Sequence, residues 1–233
     1  VGLTEAEVSG ALLCLDVTSS IVDEAVEKEC NLIVSHHPLI FRPLKRVVGA
    51  DDVQRAVAKA IKHDITILSM HTNMDNALGG VNFKMAEKMQ LTGVKFFTEK
   101  QVDGITCGSG VMGELPVAMA ADDFIMMLKR EFDVECVQCN QLLRRPIRTV
   151  AICGGAGSFL LPEAIAAGAD AFVTGEMHYH DYFAHEQEIQ IAVIGHYQSE
   201  QYTYEIFKSI IEEQCEGVRC VVTSQNTNPI IYL

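Results

Sequence analysis

Positive charge is scarce in this sequence. Its 233 residues include 18 lysines and arginines against 31 aspartates and glutamates, which gives a formal net charge of −13. Affinity for the phosphate backbone of nucleic acids and for anionic lipids depends on clustered cations. The charge balance therefore argues against a nucleic-acid partner and against docking on an anionic membrane. The surplus carboxylates are instead suitable ligands for divalent cations.

Long apolar runs and low-complexity stretches are also missing. No uninterrupted apolar run reaches the roughly 18 residues that a membrane-spanning helix needs, so no membrane partner is expected. With 48% hydrophobic and 21% charged residues, 6 prolines and 17 glycines, the composition is that of a globular protein. A chain of this length buries enough surface to fold without disulfides. The 8 cysteines are therefore expected to be buried, reduced thiols of a cytoplasmic protein.

The order of apolar segments predicts an α/β protein. Short apolar runs that are typical of strands alternate with segments whose apolar residues recur at helical spacing. Asp51 and Asp52 are predicted to begin a helix that ends near His63. The middle of the chain is expected to contain strands at 94–98, 110–114 and 134–138 and a helix at 121–131.

The two ends of the chain repeat one pattern. Each reads strand, helix, strand, polar cluster, helix and strand, followed by a histidine and an acid four residues later: His71 with Asp75, and His196 with Glu200. We therefore predict an internal duplication. Its two similar α/β lobes, with mixed sheets, would belong to a single domain at 1–233. The lobes are expected at about 1–100 and 145–233, with a connecting segment at 101–144.

Histidines and carboxylates concentrate where the predicted strands end, which is where open α/β sheets place ligand sites. Two adjacent histidines on an extended chain point to opposite sides, so they can reach two different metal ions. The four-residue spacing of each histidine and acid puts both groups on one helical face. Imidazole with carboxylate suits Zn, Mn, Fe, Ni or Co, and two such ions can share one hydroxide nucleophile. The predicted metal ligands are His36, His37, Asp75, His196 and Glu200.

Other polar residues at these strand ends have less specific roles. His71, Glu176 and His180 can either support the metal ligands or face a substrate, and Glu176 or His180 can shuttle a proton. Asp75 has the alternative of capping a helix or turn. His63 and His185 are expected to be structural, whereas His178 can either act with the same polar cluster or be exposed to solvent.

A glycine-rich loop between a predicted strand and helix contains Gly154, Gly155 and Gly157. The backbone N–H groups of such a loop can cradle a phosphate or another anionic cofactor. The alternative is a tight strand-to-helix turn that simply requires glycine. The loop lacks the Gly-Lys-Ser/Thr ending of a Walker A motif, and both interpretations stay open.

The segments that carry these residues resemble the Nif-three-like proteins, a family of type 2 GTP cyclohydrolase I homologues. The double-histidine block and the terminal His-x-x-x-Glu are quite specific in combination. The resembling segments extend from one end of the chain to the other: Leu13-Cys-Leu-Asp-Val-Thr18, Val34-Ser-His-His-Pro-Leu-Ile-Phe-Arg-Pro-Leu44, His71-Thr-Asn-Met-Asp-Asn76, Gly79-Gly-Val-Asn82, Gly154-Gly-Ala-Gly157, Thr174-Gly-Glu176 with His180, and Gly195-His-Tyr-Gln-Ser-Glu200.

This resemblance implies a duplicated Nif-three-like α/β fold with a dinuclear metal site between its two lobes, in the short form without an inserted middle domain. The ligands would be the five residues named above, and His71, Glu176 and His180 would line the same pocket. The resemblance also implies that the partner is the chain itself, in a toroidal homohexamer whose metal sites face an internal cavity.

Three functions agree with these residues. The first is a metal-dependent hydrolase of a nucleotide or related small molecule, similar to a type 2 GTP cyclohydrolase, with two divalent ions that activate water. The second is a non-catalytic metal-binding protein with a regulatory or metal-delivery role. The third is a protein-interaction scaffold. Open coordination positions would favour the enzyme, whereas closed sites would favour structure or storage.

Overall fold

The computed structural model describes residues 1–3 and 5–232, which divide into two compact units. The first unit comprises Val1–Met74 and Thr203–Pro229, and the second comprises Asp75–Tyr202 and the residues from Ile230 onward.

The strands are β1 (Ala11–Cys14), β2 (Leu32–Ser35), β3 (Thr66–Ser69), β4 (Thr92–Phe96), β5 (Glu99–Val102), β6 (Ile105–Gly108), β7 (Val111–Met119), β8 (Gln138–Cys139), β9 (Ile147–Cys153), β10 (Ala171–Thr174), β11 (Gln190–Val193) and β12 (Cys220–Val222). The α-helices are α1 (Ser19–Glu27), α2 (Asp52–Lys62), α3 (Thr72–Asp75), α4 (Val81–Lys88), α5 (Ala121–Glu131), α6 (Leu161–Ala166), α7 (His196–Glu200) and α8 (Thr203–Gln214), with 3-10 turns at Ser158–Leu160 and Tyr179–Tyr182.

A four-stranded, fully parallel sheet forms the first unit, in the order β12-β1-β2-β3. All four residues of β1 are buried, as expected for an interior strand of a parallel sheet with an uninterrupted apolar sequence. Ile21 of α1 and Val57 of α2 pack with Ile33 of β2 in one hydrophobic core. The prediction of a mixed sheet in this part of the chain is wrong, because β12 comes from the C-terminal residues and runs parallel to β1.

Helices α1 and α2 both begin at polar caps. The Thr18 hydroxyl accepts a hydrogen bond from the Ile21 N–H, and the Asp51 carboxylate accepts one from the Gln54 N–H at 2.8 Å. These caps satisfy N–H groups that have no partner inside the helix. The C-cap of α2 is His63, so the predicted start and end of this helix are confirmed.

The buried carboxylate of Glu24 joins α1 to the segment that follows β12. It accepts hydrogen bonds from the Lys28 ammonium at 2.6 Å, from the Ser224 backbone N–H at 2.8 Å and from the Thr223 hydroxyl. Burial alone would raise the pKa of this carboxyl, but the hydrogen bonds from Lys28, Ser224 and Thr223 outweigh it and lower the pKa to about 2. Glu24 therefore stabilises the folded chain in its ionised form.

We expect Glu24→Gln to destabilise the protein by about 2 kcal/mol at pH 7, because the charge-assisted hydrogen bonds are lost. The folded-state pKa lies below the unfolded value of about 4.5, so this stability is present above pH 4.5 and is lost as the pH falls towards 2. Urea unfolding at pH 7 and at pH 3 measures the difference. Glu27→Gln, at an exposed position of the same helix, is the control, and an equal effect of both substitutions at pH 7 would contradict the prediction.

A six-stranded mixed sheet forms the second unit, in the order β4-β7-β9-β10-β11-β8. Its centre is three parallel strands, β9, β10 and β11. The antiparallel strands β7 and β8 flank this centre on either side. Phe124 and Leu128 of α5 are fully buried in the same core as Val150 of β9. The strands β5 and β6 form a separate antiparallel hairpin.

Each unit contains three neighbouring parallel strands in chain order, and a histidine lies shortly after the third. The units differ from the expected lobes in two respects. The segment at 101–144 is not only a connection, because it supplies β7, α5 and β8 of the second unit. Residues 75–100 belong to the second unit and residues 203–229 to the first. The internal duplication stays a hypothesis.

The cysteines are free thiols. Cys14, Cys30 and Cys153 are buried as expected, whereas the other five are partly or fully exposed. The prediction of buried thiols therefore holds for only part of the set. Among the described residues, none of the helices combines the length and the apolar character that a membrane span requires.

Candidate metal-binding residues

Three histidines meet at the carboxyl edge of the parallel sheet in the first unit. His36 and His37 follow β2, and His71 follows β3 after one intervening residue. Because β2 and β3 are parallel with Ser35 opposite Ser69, the residues after both strands emerge side by side. The ring centroids of His36 and His37 are 5.0 Å apart, and the His71 ring is 5.3 Å from His36 and 5.5 Å from His37.

Hydrogen bonds to Nδ1 orient two of these rings. His36 is fully buried, and its Nδ1 lies 2.9 Å from the carbonyl oxygen of Met70. A carbonyl only accepts, so Nδ1 carries the proton and Nε2 carries the lone pair. The Nδ1 atom of His37 lies 2.7 Å from Asp16 Oδ1, which favours the same tautomer. The three imidazoles offer ring nitrogens that lie within 4.8 Å of one another.

Asp16 has a role that the sequence analysis missed. Its Oδ1 holds the His37 ring, and its Oδ2 accepts a hydrogen bond from the Thr227 hydroxyl at 2.7 Å. A carboxylate behind a metal-ligating histidine fixes the ring orientation and raises the basicity of the coordinating nitrogen. One feature of the sequence could have predicted this role. Asp16 is the second residue after β1, at the same sheet edge as the histidines.

We expect Asp16→Asn to weaken zinc binding 10- to 100-fold without unfolding the protein, since partners of this kind contribute about that much to metal affinity. Isothermal titration calorimetry with Zn²⁺ measures the change. Asp23→Asn is the matched control, because Asp23 pairs with Lys59 on the surface of the same unit. Equal affinities of the Asp16→Asn variant and the unsubstituted protein would contradict the prediction.

In the second unit, the carboxyl ends of β9, β10 and β11 bring together a histidine and two glutamates. His196 begins the short helix α7 and Glu200 ends it, while Glu176 follows β10. The His196 Nδ1 lies 2.8 Å from Glu176 Oε1, and its Nε2 lies 3.1 Å from Glu200 Oε2. The hydrogen bond that the imidazole donates to the Glu200 carboxylate raises the pKa of His196 against the opposing effect of burial, and Glu176 adds to the rise.

The carboxylates of Asp75 and Glu200 both lie near the buried thiol of Cys153. Burial raises the pKa of this thiol to about 12, and the negative charges of Asp75 and Glu200 contribute to the rise. Asn82, which is only 2% exposed, donates from Nδ2 to the Asp75 carbonyl oxygen at 3.0 Å. Its Oδ1 accepts a hydrogen bond from the Gly154 N–H at 2.8 Å. Asn82 therefore ties the backbone of one predicted ligand to the glycine-rich loop.

The glycine-rich loop packs directly against α7. The backbone N–H groups of its three glycines donate to side-chain oxygens of the same unit: Gly154 to Asn82, Gly155 to Ser199 and Gly157 to Thr174. Gly155 has a φ of +59°, and a Cβ atom there would overlap Glu200 Oε1 and lie 3.5 Å from His196 Nε2. The absence of a side chain at Gly155 therefore leaves space for the Glu200 carboxylate. Cofactor binding by these glycines stays a prediction, because each N–H already has an acceptor.

His180 lies apart from this arrangement. Its exposed ring contacts Tyr179 and Phe183, at centroid distances of 5.3 and 5.9 Å. The other histidines have surface roles, since His178 pairs with Asp181 at 3.5 Å and His185 with Glu188 at 2.7 Å. A cleft of about 310 Å³ in the second unit is lined by Glu176 and His196 among others, so a small molecule can reach both side chains.

These two groups of residues have the composition of metal-ligand sets. The first unit supplies three imidazoles, and the second supplies one imidazole with the carboxylates of Asp75 and Glu200. Imidazole and carboxylate together suit Zn, Mn, Fe, Ni or Co better than Mg or Ca. Divalent ions in such surroundings support hydrolytic chemistry, and the exposed carboxylate of Glu176 offers a proton acceptor.

Comparisons with known proteins find relatives along nearly the whole chain. The family model Duf34/NIF3 (NGG1p interacting factor 3) matches residues 1–229. A "GTP cyclohydrolase 1 type 2 homolog" of Clostridium perfringens is 30% identical over 237 aligned positions, which cover 100% of this chain and 89% of that protein. A "NIF3-like protein 1" of Drosophila melanogaster is 27% identical, covering 97% and 78%. The crystal structure of a Staphylococcus aureus hypothetical protein, 28% identical, superimposes with a TM-score of 0.91 over 100% of this chain and 90% of that one.

Proposed function

Because the chain belongs to the Duf34/NIF3 family, we propose that it is a metal-binding protein that holds two divalent ions. The proposed ligands are His36, His37, Asp75, His196 and Glu200. The observation that carries this proposal is the orientation of the imidazoles. The Nδ1 atoms of His36 and His37 lie 2.9 and 2.7 Å from oxygen acceptors, so Nε2 is the proposed coordinating atom of each ring. In the second unit, His196 Nε2 lies 3.1 Å from Glu200 Oε2, so one ion could bind both atoms.

The charge distribution of the second unit supports the same proposal. Asp75 and Glu200 place two carboxylates near one buried thiol, and the raised pKa of Cys153 keeps that thiol neutral. Negative charge gathered in a region of low dielectric is unfavourable unless a cation neutralises it. A divalent ion would provide that compensation. The donor set suits Zn, Mn, Fe, Ni or Co.

We further propose that the protein hydrolyses a nucleotide or a related small molecule. When bound, divalent ions of this kind act as Lewis acids and supply a nucleophile at neutral pH. Glu176 holds His196 through Oε1, so its Oε2 is the atom that can take up a proton in the cleft that both residues line. His71 and His180 are the other proposed catalytic groups. The nucleotide class follows the name of the relatives, GTP cyclohydrolase 1 type 2 homolog.

The test combines metal content with turnover. The protein is loaded with Zn, Mn or Fe, dialysed, and analysed by inductively coupled plasma mass spectrometry, with two ions per chain expected. Each form is then incubated with GTP, other nucleotides and phosphoesters, with His36→Ala as the control and circular dichroism as the check on folding. Turnover that His36→Ala abolishes supports the hydrolase. Metal binding without turnover supports a regulatory or metal-delivery role. Failure to bind metal contradicts both the hydrolase and the metal-delivery role and favours a protein-interaction scaffold.

Assembly, the duplication and cellular location remain proposals at the level of the family resemblance. We propose a toroidal homohexamer, which sedimentation velocity tests directly through the mass of the particle in solution. We also propose the internal duplication, because both units have three parallel strands in chain order, with a histidine shortly after the third. A cytoplasmic location agrees with the free thiols.

A further inference from the structure

A second, larger cleft in the second unit has no part in the proposed metal chemistry. It has a volume of about 560 Å³, which lies within the range of small-molecule sites. One wall is formed by β8 and the residues just after it, including Gln138 and Gln141. The other wall is formed by the 3-10 turn Tyr179–Tyr182 and by Phe183 and Glu186.

The aromatic wall presents ring surface to solvent. Tyr179 is 74% exposed and Phe183 is 55% exposed, with ring centroids 5.3 Å apart in an edge-to-face arrangement. Tyr182 is half-buried and packs against a hydrophobic core of the unit, so this wall has a fixed base. Exposed aromatic side chains that line a concavity are typical of a surface that a ligand covers.

The opposite wall supplies hydrogen-bonding groups. Asn140 is used structurally, because its amide bonds to the Ile189 carbonyl at 2.9 Å and to the Ile191 N–H at 2.9 Å. Gln138 differs: its Oε1 accepts from the Tyr182 hydroxyl at 3.4 Å, which turns its NH2 group into the donor available to a ligand. The carboxylate of Glu186 adds an acceptor.

The charge of the lining residues limits the chemical classes of ligand that this cleft can bind. Among those that the structure describes, Glu186 is the one with a full charge, and neither lysine nor arginine is present. A phosphate would therefore be repelled from this cleft. A planar ring can stack on Tyr179 and Phe183, and a carboxylate can accept two hydrogen bonds from adjacent N–H groups on the ring edge.

We propose that this cleft binds an uncharged, planar nitrogen heterocycle of the size of a purine, with adjacent N–H donors that face Glu186. Gln138 also lines the smaller cleft that contains Glu176 and His196. A ligand held by its ring in the larger cleft would therefore direct its other end to those two residues. This last step rests on the proposed hydrolytic function, whereas ring binding does not.

The test is direct binding of nucleosides to the metal-free, full-length chain, measured by isothermal titration calorimetry and saturation-transfer NMR. Guanosine is expected to bind more tightly than adenosine, because its base presents an N–H and an NH2 group side by side, and ribose is not expected to bind. Tyr179→Ala and Phe183→Ala should each weaken guanosine binding about 5- to 100-fold, the usual range for loss of one stacking partner. Glu186→Gln should remove the preference for guanosine.

Phe159→Ala is the matched control, because Phe159 is an equally exposed aromatic residue (63%) of the same unit that is not among the residues of the cleft. His36→Ala separates the two proposals, since His36 is a proposed metal ligand that lines neither cleft, so this variant should reduce metal content and leave nucleoside binding intact. Equal guanosine affinity in Tyr179→Ala and the unsubstituted protein, or no guanosine binding at all, overturns the inference. A change in sedimentation of Tyr179→Ala without a change in guanosine affinity also overturns it and makes the aromatic wall a protein interface.

Discussion

Gly155→Ala is expected to destabilise the protein by about 4 kcal/mol and to reduce its metal content. Two effects add at this position. The left-handed φ of +59° costs an alanine about 1 kcal/mol. The new Cβ would also overlap Glu200 Oε1, so the buried carboxylate must leave its position beside His196. Displacement of a buried charged group and overpacking together cost roughly 3 kcal/mol more.

The matched control is Gly168→Ala. Gly168 also has a positive φ, +76°, but a Cβ atom there would meet nothing within 4 Å. This control therefore isolates the backbone term, at about 1 kcal/mol. Urea unfolding of the two variants, with metal content measured in parallel, separates the terms. If Gly155→Ala were no less stable than Gly168→Ala, the close approach of the loop to Glu200 would be contradicted.

The elements with strong local patterns are predictable from sequence. The helix predicted at 121–131 is confirmed with the same bounds, because the buried residues Phe124, Met127 and Leu128 recur at helical spacing. The strand expected at 134–138 is wrong in extent, because only Gln138–Cys139 pairs, at two positions of β11. Local periodicity does not report which neighbour a strand will find.

Pairing between strands that are distant in sequence explains why the two units differ from the expected lobes. Ala11 of β1 lies opposite Cys220 of β12, so the C-terminal residues complete the sheet of the first unit. The pattern of a short apolar strand at this point was visible, but nothing in it distinguished β1 from β11 as a neighbour. The strand β12 was assigned to a lobe at 145–233 from chain order alone. The boundaries of the expected lobes therefore differ from those of the observed units.

The placement of the candidate ligands at the strand ends was predictable for a related reason. Parallel strands end at one edge, so polar residues after β2 and β3, and after β10 and β11, had to lie near each other within their unit. The residues that orient them were not predictable in this way. Asn82 and Ser199 act through hydrogen bonds to the backbone of Asp75 and of the glycine-rich loop, and such contacts depend on packing between elements distant in sequence.

The largest expected effect on binding comes from His37→Ala. A zinc site with four ligands releases about 10–16 kcal/mol, so the loss of one ligand should weaken affinity roughly 100- to 1,000-fold. At a metal concentration 100 times the dissociation constant, the unsubstituted protein gains about 2.7 kcal/mol of stability. At the same concentration His37→Ala should gain less than about 0.5 kcal/mol. Thermal unfolding with and without Zn²⁺ measures both gains.

His185→Ala is the control for this measurement. The His185 Nδ1 lies 2.7 Å from Glu188 Oε2, the same separation as His37 from Asp16, but its partner is three residues away on the surface of the second unit. Both substitutions therefore remove an imidazole that has a carboxylate partner. In His185→Ala, however, the stabilisation by zinc should stay near 2.7 kcal/mol. A zinc-dependent stabilisation that survives His37→Ala and disappears in His185→Ala would remove His37 from the ligand set. Survival in both variants would instead mean that the ion is held without either histidine.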